Sequence, residues 1–277
     1  MELHAVAQVF DTCPVYDGYS GSYLFKAQTS TFLESSSEGS TSARRVLSLA
    51  PSIIPPTHSV VLILNQLTLL GYSNSDEWAG TEIRKAYWSK RVTDDFKILS
   101  PAQVVLGLTG QSAFGQKAYL KDTVNGVNNS DYDPQWNIFV SASLPLAKGS
   151  YLQSGTTLYR VRSSYSDIDG FRTATADEVE SVVTSVTFTT ASTYDPITDS
   201  FTPSTTVAPC LVFDIYKDYT YQSEADPRNL AGDLAMILAK SSLTPKLGDN
   251  FTYAAQTWRV LALVSEQDAW KLHIRKT

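Results

Sequence analysis

Side chains that could carry acid–base or metal chemistry are few and scattered along the 277 residues of this chain. A zinc site or a Ser-His-Asp triad would need histidines with nearby partners that could complete it. The three histidines stand in unrelated contexts, at His4, His58 and His273. The carboxylate pairs Asp76-Glu77 and Asp94-Asp95 lack the apolar surroundings that would separate their pKa values for glycosidase chemistry. We therefore expect no enzyme activity, no catalytic residue, no metal site and no cofactor.

One short motif, Asp167-Ile-Asp-Gly170, is similar to part of a calcium-binding loop. It lacks the downstream glutamate that such a loop requires, and the matching residues later in the chain are Glu-Gln-Asp-Ala. A plain turn is therefore the favoured interpretation. The sequence also contains no glycine-rich phosphate-binding loop of the P-loop or dinucleotide type.

The composition indicates a β-rich globular protein. Only 18% of the residues are charged, whereas Ser, Thr, Val and Tyr are abundant. The net charge of −6 argues against a general nucleic-acid-binding surface, because such a surface needs a basic face. Cys13 and Cys210 lie far apart in dissimilar contexts and are predicted to be buried thiols. The start of the chain has no secretory pattern, and the longest apolar run, at residues 60–64, is too short to span a bilayer. We therefore expect a soluble protein made in a cytoplasm.

A repeat displaced by 99 residues organises the chain, because residues 248–260 align with residues 149–161 without a gap. Both copies contain an aromatic residue followed by Arg-Val. The register continues through the next turn, where Ser265, Asp268 and Trp270 match Ser166, Asp169 and Phe171. A fainter third copy of this Ser-x-x-Asp-x-aromatic turn is predicted at Ser73, Asp76 and Trp78.

Local signals place a short helix among many predicted strands. Ser100 as N-cap and Pro101 at the first position predict a helix start, and Gly110 is expected to end that helix. Residues 230–239 favour helix by propensity, but their partner in the repeat alternates like a strand, so both segments are predicted as strands. Residues 81–91 are predicted as a strand by analogy. Residues 177–204 are interpreted as a Thr/Ser-rich linker, within which residues 182–190 could form a strand shared with a neighbouring module.

The predicted fold is mostly β, with tandem small antiparallel β-barrel or sandwich modules and few short helices. Three modules are expected: residues 1–100 as a degenerate N-terminal β-module, 101–185 as a middle β-barrel, and 186–277 as a C-terminal β-barrel. Each copy should contain a meander of four or five strands. Such a meander curls into a barrel because a flat sheet of this size cannot bury both faces.

Repeated aromatic, acidic and basic residues are the candidate structural and interaction sites. Four aromatic residues are expected to fill the barrel ends: Tyr159, Phe171, Trp258 and Trp270. Asp169 and Asp268 are expected to cap their own turns through side-chain to backbone hydrogen bonds. Arg160 and Arg259 point away from the preceding aromatic residue, which leaves two alternatives: a solvated arginine lying over an aromatic neighbour, or a salt bridge between subunits of a ring. Arg275, on the same strand face as His273, joins them as a candidate subunit-interface residue.

The last module has a recognisable pattern of Pro245-Lys-Leu-Gly-Asp249, then Trp258-Arg-Val260, then the closing strand Trp270-Lys-Leu-His-Ile-Arg275. In this pattern it resembles the head-closure (stopper, or head–tail joining) proteins of the neck of tailed bacteriophages. The resemblance covers about the last quarter of the chain. Proteins of that family usually contain one barrel, so the additional modules depart from it.

The resemblance implies a structural virion protein that is assembled in the host cytoplasm. Its copies would form a homo-oligomeric ring that joins head to tail, contacts portal or adaptor proteins and tail proteins, and helps to retain packaged DNA. Double-stranded DNA would pass through the channel without sequence-specific binding, which suits an acidic net charge. The loops at residues 35–42 and 122–130 are candidates for subunit or channel contacts.

An alternative from a different functional class is a receptor- or glycan-binding β-module of a tail fibre or baseplate. The chain has 5 tryptophans and 15 tyrosines, and aromatic platforms stack on sugars. The repeat explains Trp258 and Trp270 as core residues, but it gives no role to Tyr16, Tyr19 and Tyr23. A row of exposed aromatic side chains on one sheet would favour this alternative, whereas a ring-forming edge with complementary charges would favour the neck protein.

Overall fold

The computed structural model describes residues 11–33, 45–49, 59–63, 66–78, 81–119, 135–179, 183–195, 197, 200–214 and 232–277. Strands make up most of these residues, which confirms the predicted mostly-β fold of tandem antiparallel barrels. Some predicted features lie outside the described residues: His4, His58 and the two loops at 35–42 and 122–130.

Eighteen strands and one helix are found in the described chain. The first barrel consists of β1 (Asp11–Asp17), β2 (Tyr23–Leu33), β3 (Arg45–Leu49), β4 (Ser59–Ile63), β5 (Gln66–Trp78) and β6 (Thr81–Arg91). The second consists of β7 (Asp94–Leu99), β8 (Gln111–Tyr119), β9 (Gln135–Ser141), β10 (Tyr151–Ser154), β11 (Thr157–Ser166) and β12 (Phe171–Glu178). The third consists of β13 (Val183–Asp195), β14 (Ser200–Asp214), β15 (Leu234–Ala239), β16 (Asn250–Tyr253), β17 (Gln256–Glu266) and β18 (Ala269–Lys276).

The three barrels share one strand order. In each of them the spatial order is first, second, third, sixth, fifth and fourth strand, and the first strand pairs with the fourth to close the barrel. Closure pairs the two edge strands of each sheet with each other. The expected meander of four or five strands is therefore wrong in strand number. The gap-free part of the repeat begins only at the fourth strand of a barrel, and the weaker match of residues 230–239 extends it to the third strand, so it did not reveal the complete set of strands.

The limits of the barrels follow from these pairings. The second barrel begins at Asp94 and ends at Glu178, and the third begins at Val183. The predicted boundaries after residues 100 and 185 thus lie inside the second and third barrels. Strands β7 and β13 are outside the part of the repeat that sequence comparison detects, so the repeat did not assign them to these barrels, although residues 182–190 were considered as a strand shared with a neighbouring module.

Alternate side chains of the strands fill the barrels, as the period of two in a β-strand requires. The third core includes Cys210, Met236, Leu238, Trp258 and Ile274. The second includes Phe96, Ile138, Val140, Tyr159 and Val161. The strand prediction for the region around Met236 is confirmed as β15, and the prediction for residues 81–91 is confirmed as β6.

The helix α1 (Pro101–Leu106) connects β7 to β8. Its predicted start is confirmed, because Ser100 is the N-cap and forms a capping box with Gln103. The helix ends at Gly107, which adopts a left-handed conformation with φ of 64°, three residues before the predicted stop. Glycine suits this position because a Cβ would strain a left-handed backbone.

Two predictions about connecting segments are wrong. Residues 177–204 are not a linker, because β13 and the start of β14 form a long antiparallel hairpin there. The β-branched threonines and valines that suggested a Thr/Ser-rich linker favour strand structure instead. The third turn predicted between Ser73 and Trp78 is also absent, since β5 continues to Trp78 and pairs with Thr81.

Cys210 is fully buried in the third core, and burial raises the pKa of its thiol to about 12. A thiol with this pKa is almost entirely protonated at pH 8, and the core also blocks access to it. In a Cys13→Ser variant, the remaining thiol should therefore not react with a disulfide reagent at pH 8 until denaturant is added. One equivalent should react after unfolding, and rapid reaction of the native protein would contradict this prediction.

Candidate functional site

The two repeated arginines occupy equivalent places in the second and third barrels. Arg160 pairs with Tyr151 between β11 and β10, and Arg259 pairs with Asn250 between β17 and β16. A shift of register follows each arginine at the same distance along the strand. Both arginines therefore lie on the outer face of their barrels, but their surroundings differ.

Arg160 lies at the contact between the second and third barrels, called here the second junction. Its guanidinium donates hydrogen bonds to both carboxylate oxygens of Glu266, at 3.0 and 3.1 Å. Its guanidinium also lies over the ring of Phe213, 5.6 Å from the centroid. The side chains of Arg160 and Glu266 are only 13% and 17% exposed. Of the two alternatives for Arg160, neither describes this arrangement fully, since the salt bridge joins two barrels within one chain.

A glycine makes room for the Glu266 carboxylate. Gly149 has φ of 84°, and a Cβ at this position would lie 2.3 Å from Oε1 of Glu266. The equivalent residue of the third barrel, Gly248, has φ of 85°. There the nearest atom is Nη2 of Arg259, at 3.5 Å from the position of a Cβ. The left-handed glycine is thus repeated in the third barrel, where the guanidinium of Arg259 is the nearest group.

The tip of the β17–β18 hairpin completes the polar part of the second junction. Gln267 donates from Nε2 to the Lys148 carbonyl at 3.0 Å. Asp268 accepts hydrogen bonds from the Ala102 N–H at 3.1 Å and from the Ser100 hydroxyl. The expected cap of its own turn is therefore wrong, because Asp268 instead caps helix α1 of the preceding barrel.

Apolar side chains from both barrels surround these polar contacts. The second barrel contributes Leu99, Val104, Val105, Tyr151 and Leu158, and the third contributes Leu211, Phe213, Ala235, Ile237 and Ala269. These third-barrel residues point away from their own core. The second junction is therefore a small hydrophobic core between barrels, with a rim of charged hydrogen bonds.

The contact between the first and second barrels, called here the first junction, uses the same elements. The turn between β11 and β12 meets β5, where the Tyr72 N–H donates to the Asp169 carbonyl at 2.8 Å. Phe171 is buried against Val60 and Leu69. A Cβ on Gly71 would lie 2.1 Å from the Asp169 carbonyl oxygen, so only glycine permits this approach.

The cap of the β11–β12 turn is Asp167 rather than Asp169. Asp167 Oδ1 accepts from the Phe171 N–H at 2.8 Å, and Oδ2 accepts from the Thr173 hydroxyl at 3.0 Å. The capping role that was expected for Asp169 is thus wrong. Asp169 contributes its backbone carbonyl to the first junction, and a plain turn describes the motif that is similar to part of a calcium loop.

The predicted barrel anchors fall into two groups. Tyr159 and Trp258 lie inside their barrels, with their polar atoms bonded. The Tyr159 hydroxyl accepts from Nζ of Lys117 at 2.9 Å, and the Trp258 indole donates to the Tyr253 carbonyl at 3.1 Å. Burial alone would lower the pKa of Lys117, but the bond to Tyr159 and the charge of Asp94 raise it above its ordinary value.

Phe171 and Trp270 are not equivalent, although they align without a gap. Ser166 pairs with Arg172, whereas Ser265 pairs with Trp270, so the turn of the third barrel is one residue shorter. A shift of one residue moves a side chain to the other face of a strand. Trp270 therefore packs against its own core, and Phe171 packs against the first barrel.

Arg275 belongs to a charged cluster within the third barrel. Its Nε and Nη2 donate to the carboxylate of Asp233 at 2.8 Å each, and Nε2 of His273 lies 2.7 Å from the same carboxylate. Asp233 is 2% exposed, so these partners compensate a buried charge. The hydrogen bond to Asp233 raises the pKa of Arg275. This arrangement is an intrachain network. Arg275 is the cross-strand partner of Arg259 in the β17–β18 pair, whereas Arg160 belongs to the second barrel.

Arg259 is exposed at the face of the third barrel that corresponds to the second junction. Its neighbours on that face are Asn250, Thr257 and Thr189, which are also exposed. The equivalent residues of the second barrel are apolar or aromatic: Tyr151, Leu158 and Leu99. We call this surface, formed by Gly248 and those four residues, the Arg259 face.

None of the sequence motifs indicated that Glu266 and Gln267 would lie at the second junction. The run Cys210-Leu-Val-Phe213 could have indicated this junction, because a strand that is apolar on both faces must be covered by other residues on both faces.

No group of three His, Cys, Asp or Glu side chains able to hold a metal ion was found among the described residues. Within the same residues, no helix is both long and apolar enough to cross a bilayer.

Comparisons of the chain with protein-family models, with curated proteins and with solved structures found no match.

The cap that Asp268 provides across the second junction can be tested by substitution. Asp268→Ala should lower the stability of α1 and of the junction by about 1 kcal/mol, because two hydrogen-bond donors lose their acceptor. Denaturant unfolding and amide exchange of Ala102 would measure the effect. Asp169→Ala is the matched control, since Asp169 acts through its backbone carbonyl, and it should change stability by less than about 0.5 kcal/mol. Equal effects of the two substitutions would contradict the cross-junction cap.

Proposed function

We propose that this chain is a structural virion protein of the neck of a tailed bacteriophage. In this role its copies form a ring that joins head to tail and helps to retain packaged DNA. The resemblance of residues 245–275 to head-closure proteins supports the proposal. The partners are portal or adaptor proteins above, tail proteins below and other copies of the chain, and no catalytic step is assigned to it.

The observation that carries the proposal is the repeated docking of one barrel on the next. At both junctions, the hairpin of the fifth and sixth strands meets the face formed by the fourth and fifth strands of the preceding barrel. Both junctions bury apolar side chains. The first adds a backbone hydrogen bond and the second adds charged hydrogen bonds, so both hold the barrels in fixed register. A connector that bears load between head and tail needs fixed contacts of this kind.

The net charge of −6 supports passage of DNA in preference to tight DNA binding, since few counterions would be released on contact. The described aromatic residues give little support to the glycan-binding alternative. Three exposed tyrosines, Tyr23, Tyr72 and Tyr165, lie on β2, β5 and β11, which are not neighbouring strands. They do not form the row on one sheet that the alternative requires.

Electron microscopy of particles made without this protein tests the proposal. A conditional stop codon in the gene should yield heads without tails that have lost their DNA. Complete, DNA-filled virions that fail to adsorb would overturn the neck assignment and favour the receptor-binding module. Normal infective virions would overturn any structural role in the particle. A suppressor host that restores the chain provides the control.

A further inference from the structure

The third barrel repeats the loop that receives the β17–β18 hairpin in the second barrel. The Gly149 N–H donates to the Val161 carbonyl at 2.9 Å, and the Gly248 N–H donates to the Val260 carbonyl at 2.9 Å. The N–H of each valine donates back to the carbonyl of the residue after the glycine, at 2.9 and 3.0 Å. Both glycines are left-handed, with φ of 84° and 85°. The backbone of the receiving loop is therefore the same in the two barrels.

In the second barrel, this loop and its strand bind two consecutive side chains of the hairpin. The Glu266 carboxylate accepts two hydrogen bonds from the guanidinium of Arg160. Gln267 donates from Nε2 to the Lys148 carbonyl at 3.0 Å and to the Ser150 hydroxyl at 3.2 Å. The site thus takes a carboxylate and, next to it in the sequence, a hydrogen-bond donor.

The third barrel has polar groups at all the equivalent positions. Arg259 is the counterpart of the carboxylate-binding arginine; it is exposed, and it forms no ion pair with any described residue. The carbonyl of Leu247 is the counterpart of the carbonyl that accepts from the glutamine. Asp249 stands where the second barrel has a serine hydroxyl, and its carboxylate accepts from the Lys246 N–H at 2.7 Å. One guanidinium and two acceptors are therefore available to an occupant.

The rest of the Arg259 face is hydrophilic. Asn250, Thr257 and Thr189 are exposed where the second barrel has aromatic or apolar residues. Lys246 adds a second exposed cation beside Arg259. Apolar burial cannot hold an occupant on such a surface, so charge and hydrogen bonds must select it. A negatively charged, hydrophilic occupant fits these groups.

The described hairpin ends of this chain are already engaged in its own junctions. Glu266 is bonded in the second junction, and the turn that contains Asp169 meets β5 in the first. Strand β6 of the remaining hairpin carries both signs of charge, with Glu82, Arg84 and Lys85 close together in its sequence. A hairpin from a different protein therefore fits the face better than a hairpin from a second copy.

We infer that the Arg259 face binds a β-hairpin of a different protein, whose end carries a glutamate followed by a hydrogen-bond donor such as glutamine or lysine. The glutamate accepts two hydrogen bonds from Arg259 beside Gly248. The donor bonds to the Leu247 carbonyl and to the Asp249 carboxylate. The other contact side chains of this hairpin are polar, so neither protein exposes a large apolar surface before they meet.

The source of this hairpin and its binding are separate questions. The neck role makes an adjoining virion protein the source, and that identification rests on the proposed function. The binding itself depends only on the chemistry of the Arg259 face and is measured on the purified chain. The two can therefore fail separately.

A hairpin probe mixed with the purified full chain tests the binding. The probe is a labelled cyclic peptide with the sequence of residues 262–273, and fluorescence anisotropy measures its dissociation constant. Arg259→Ala should raise this constant at least tenfold, because the probe carboxylate loses both of its hydrogen bonds. A probe with Glu266→Gln should bind the wild-type chain at least tenfold more weakly, and 0.5 M salt should weaken binding. Arg91→Ala, at an exposed position on the first barrel, is the matched control and should leave binding unchanged.

A double-mutant cycle separates the proposed bond from a general effect of charge. Arg259→Ala combined with the Glu266→Gln probe should lose much less than the product of the two single losses, because both changes remove one bond. Charge exchange is the converse test: a probe with Glu266→Lys should bind the Arg259→Glu chain at least tenfold more tightly than the unaltered probe does. The thermal unfolding midpoint of each variant checks its folding.

Several outcomes would overturn the inference. The wild-type chain could fail to bind the probe at every concentration, or it could bind no better than Arg259→Ala. Sedimentation of the chain alone could show self-association that depends on Arg259, which would make the occupant a second copy. A short DNA duplex could bind through Arg259 more tightly than the probe, which would make the occupant a phosphate. Probe binding as expected, together with normal virions in the stop-codon experiment, would sustain the contact and overturn the neck function.

Discussion

Replacing Phe171 by alanine is expected to weaken the first junction by about 3–5 kcal/mol. The ring is 1% exposed and packs against Val60 and Leu69 of the first barrel. A Cβ on Gly71 would lie 2.8 Å from the ring, so the two barrels are already in close contact around it. Removal of the ring leaves a cavity between two closed barrels, which cannot easily collapse to fill it.

Amide exchange measures this loss at the junction itself. The Tyr72 N–H donates to the Asp169 carbonyl across the two barrels, so its protection reports whether they remain docked. Protection of this amide should fall in Phe171→Ala, while amides of β15 in the third barrel stay protected. Tyr165→Ala is the matched control, because this aromatic residue of the same hairpin is 56% exposed. Unchanged protection of the Tyr72 amide in Phe171→Ala would show that the ring does not hold the junction.

The repeat made several elements predictable where local propensity would have failed. Residues 234–239 contain Leu, Ala and Met, which favour helix, but their partner β9 alternates like a strand, and the segment is β15. The helix start at Ser100 was predictable because capping is a local interaction between residues three apart. Both successes depend on information that lies close together or occurs twice in the sequence.

The predictions from the sequence are wrong where contacts between residues far apart in the chain determine the structure. Asp268 was expected to cap its own turn, but its acceptor oxygens meet Ser100 and Ala102, which lie more than 160 residues earlier. The gap-free alignment paired Trp270 with Phe171, but a turn shorter by one residue reverses the face of the strand. Neither the docking partner of a hairpin nor a one-residue change in turn length is visible in the spacing of motifs.

The number of strands in each barrel shows a related limit of prediction from the sequence. The fourth to sixth strands of the second and third barrels retain similar sequences, and their hairpins form both junctions. Similarity is weaker in the first three strands, of which the third, β9 and β15, could still be matched. The second junction also uses side chains of β14 and β15, so sequence similarity does not mark every strand that meets a neighbouring barrel.

Arg160→Ala is expected to destabilise the second junction by about 2–3 kcal/mol. The substitution leaves the Glu266 carboxylate mostly buried beside Gly149 and without the two hydrogen bonds at 3.0 and 3.1 Å. It also removes the guanidinium from the ring of Phe213. The three barrels need not unfold together, so the relevant free energy is that of opening this junction, reported by exchange of the Ala102 amide.

Arg259→Ala is the control that the repeat itself supplies. It removes the same side chain from the equivalent strand position, but Arg259 is exposed, so the stability of a single chain should change by less than about 0.5 kcal/mol. A Glu266→Gln variant combined with Arg160→Ala should lose less than the sum of the two single losses, because both act on one bond. If Arg160→Ala and Arg259→Ala had equal small effects, Arg160 would be a solvated arginine, and the docking of barrels would depend on apolar contact alone. A large difference between the two arginines, by contrast, would mean that the same repeated side chain stabilises a contact between barrels in the second barrel and contributes little to stability in the third.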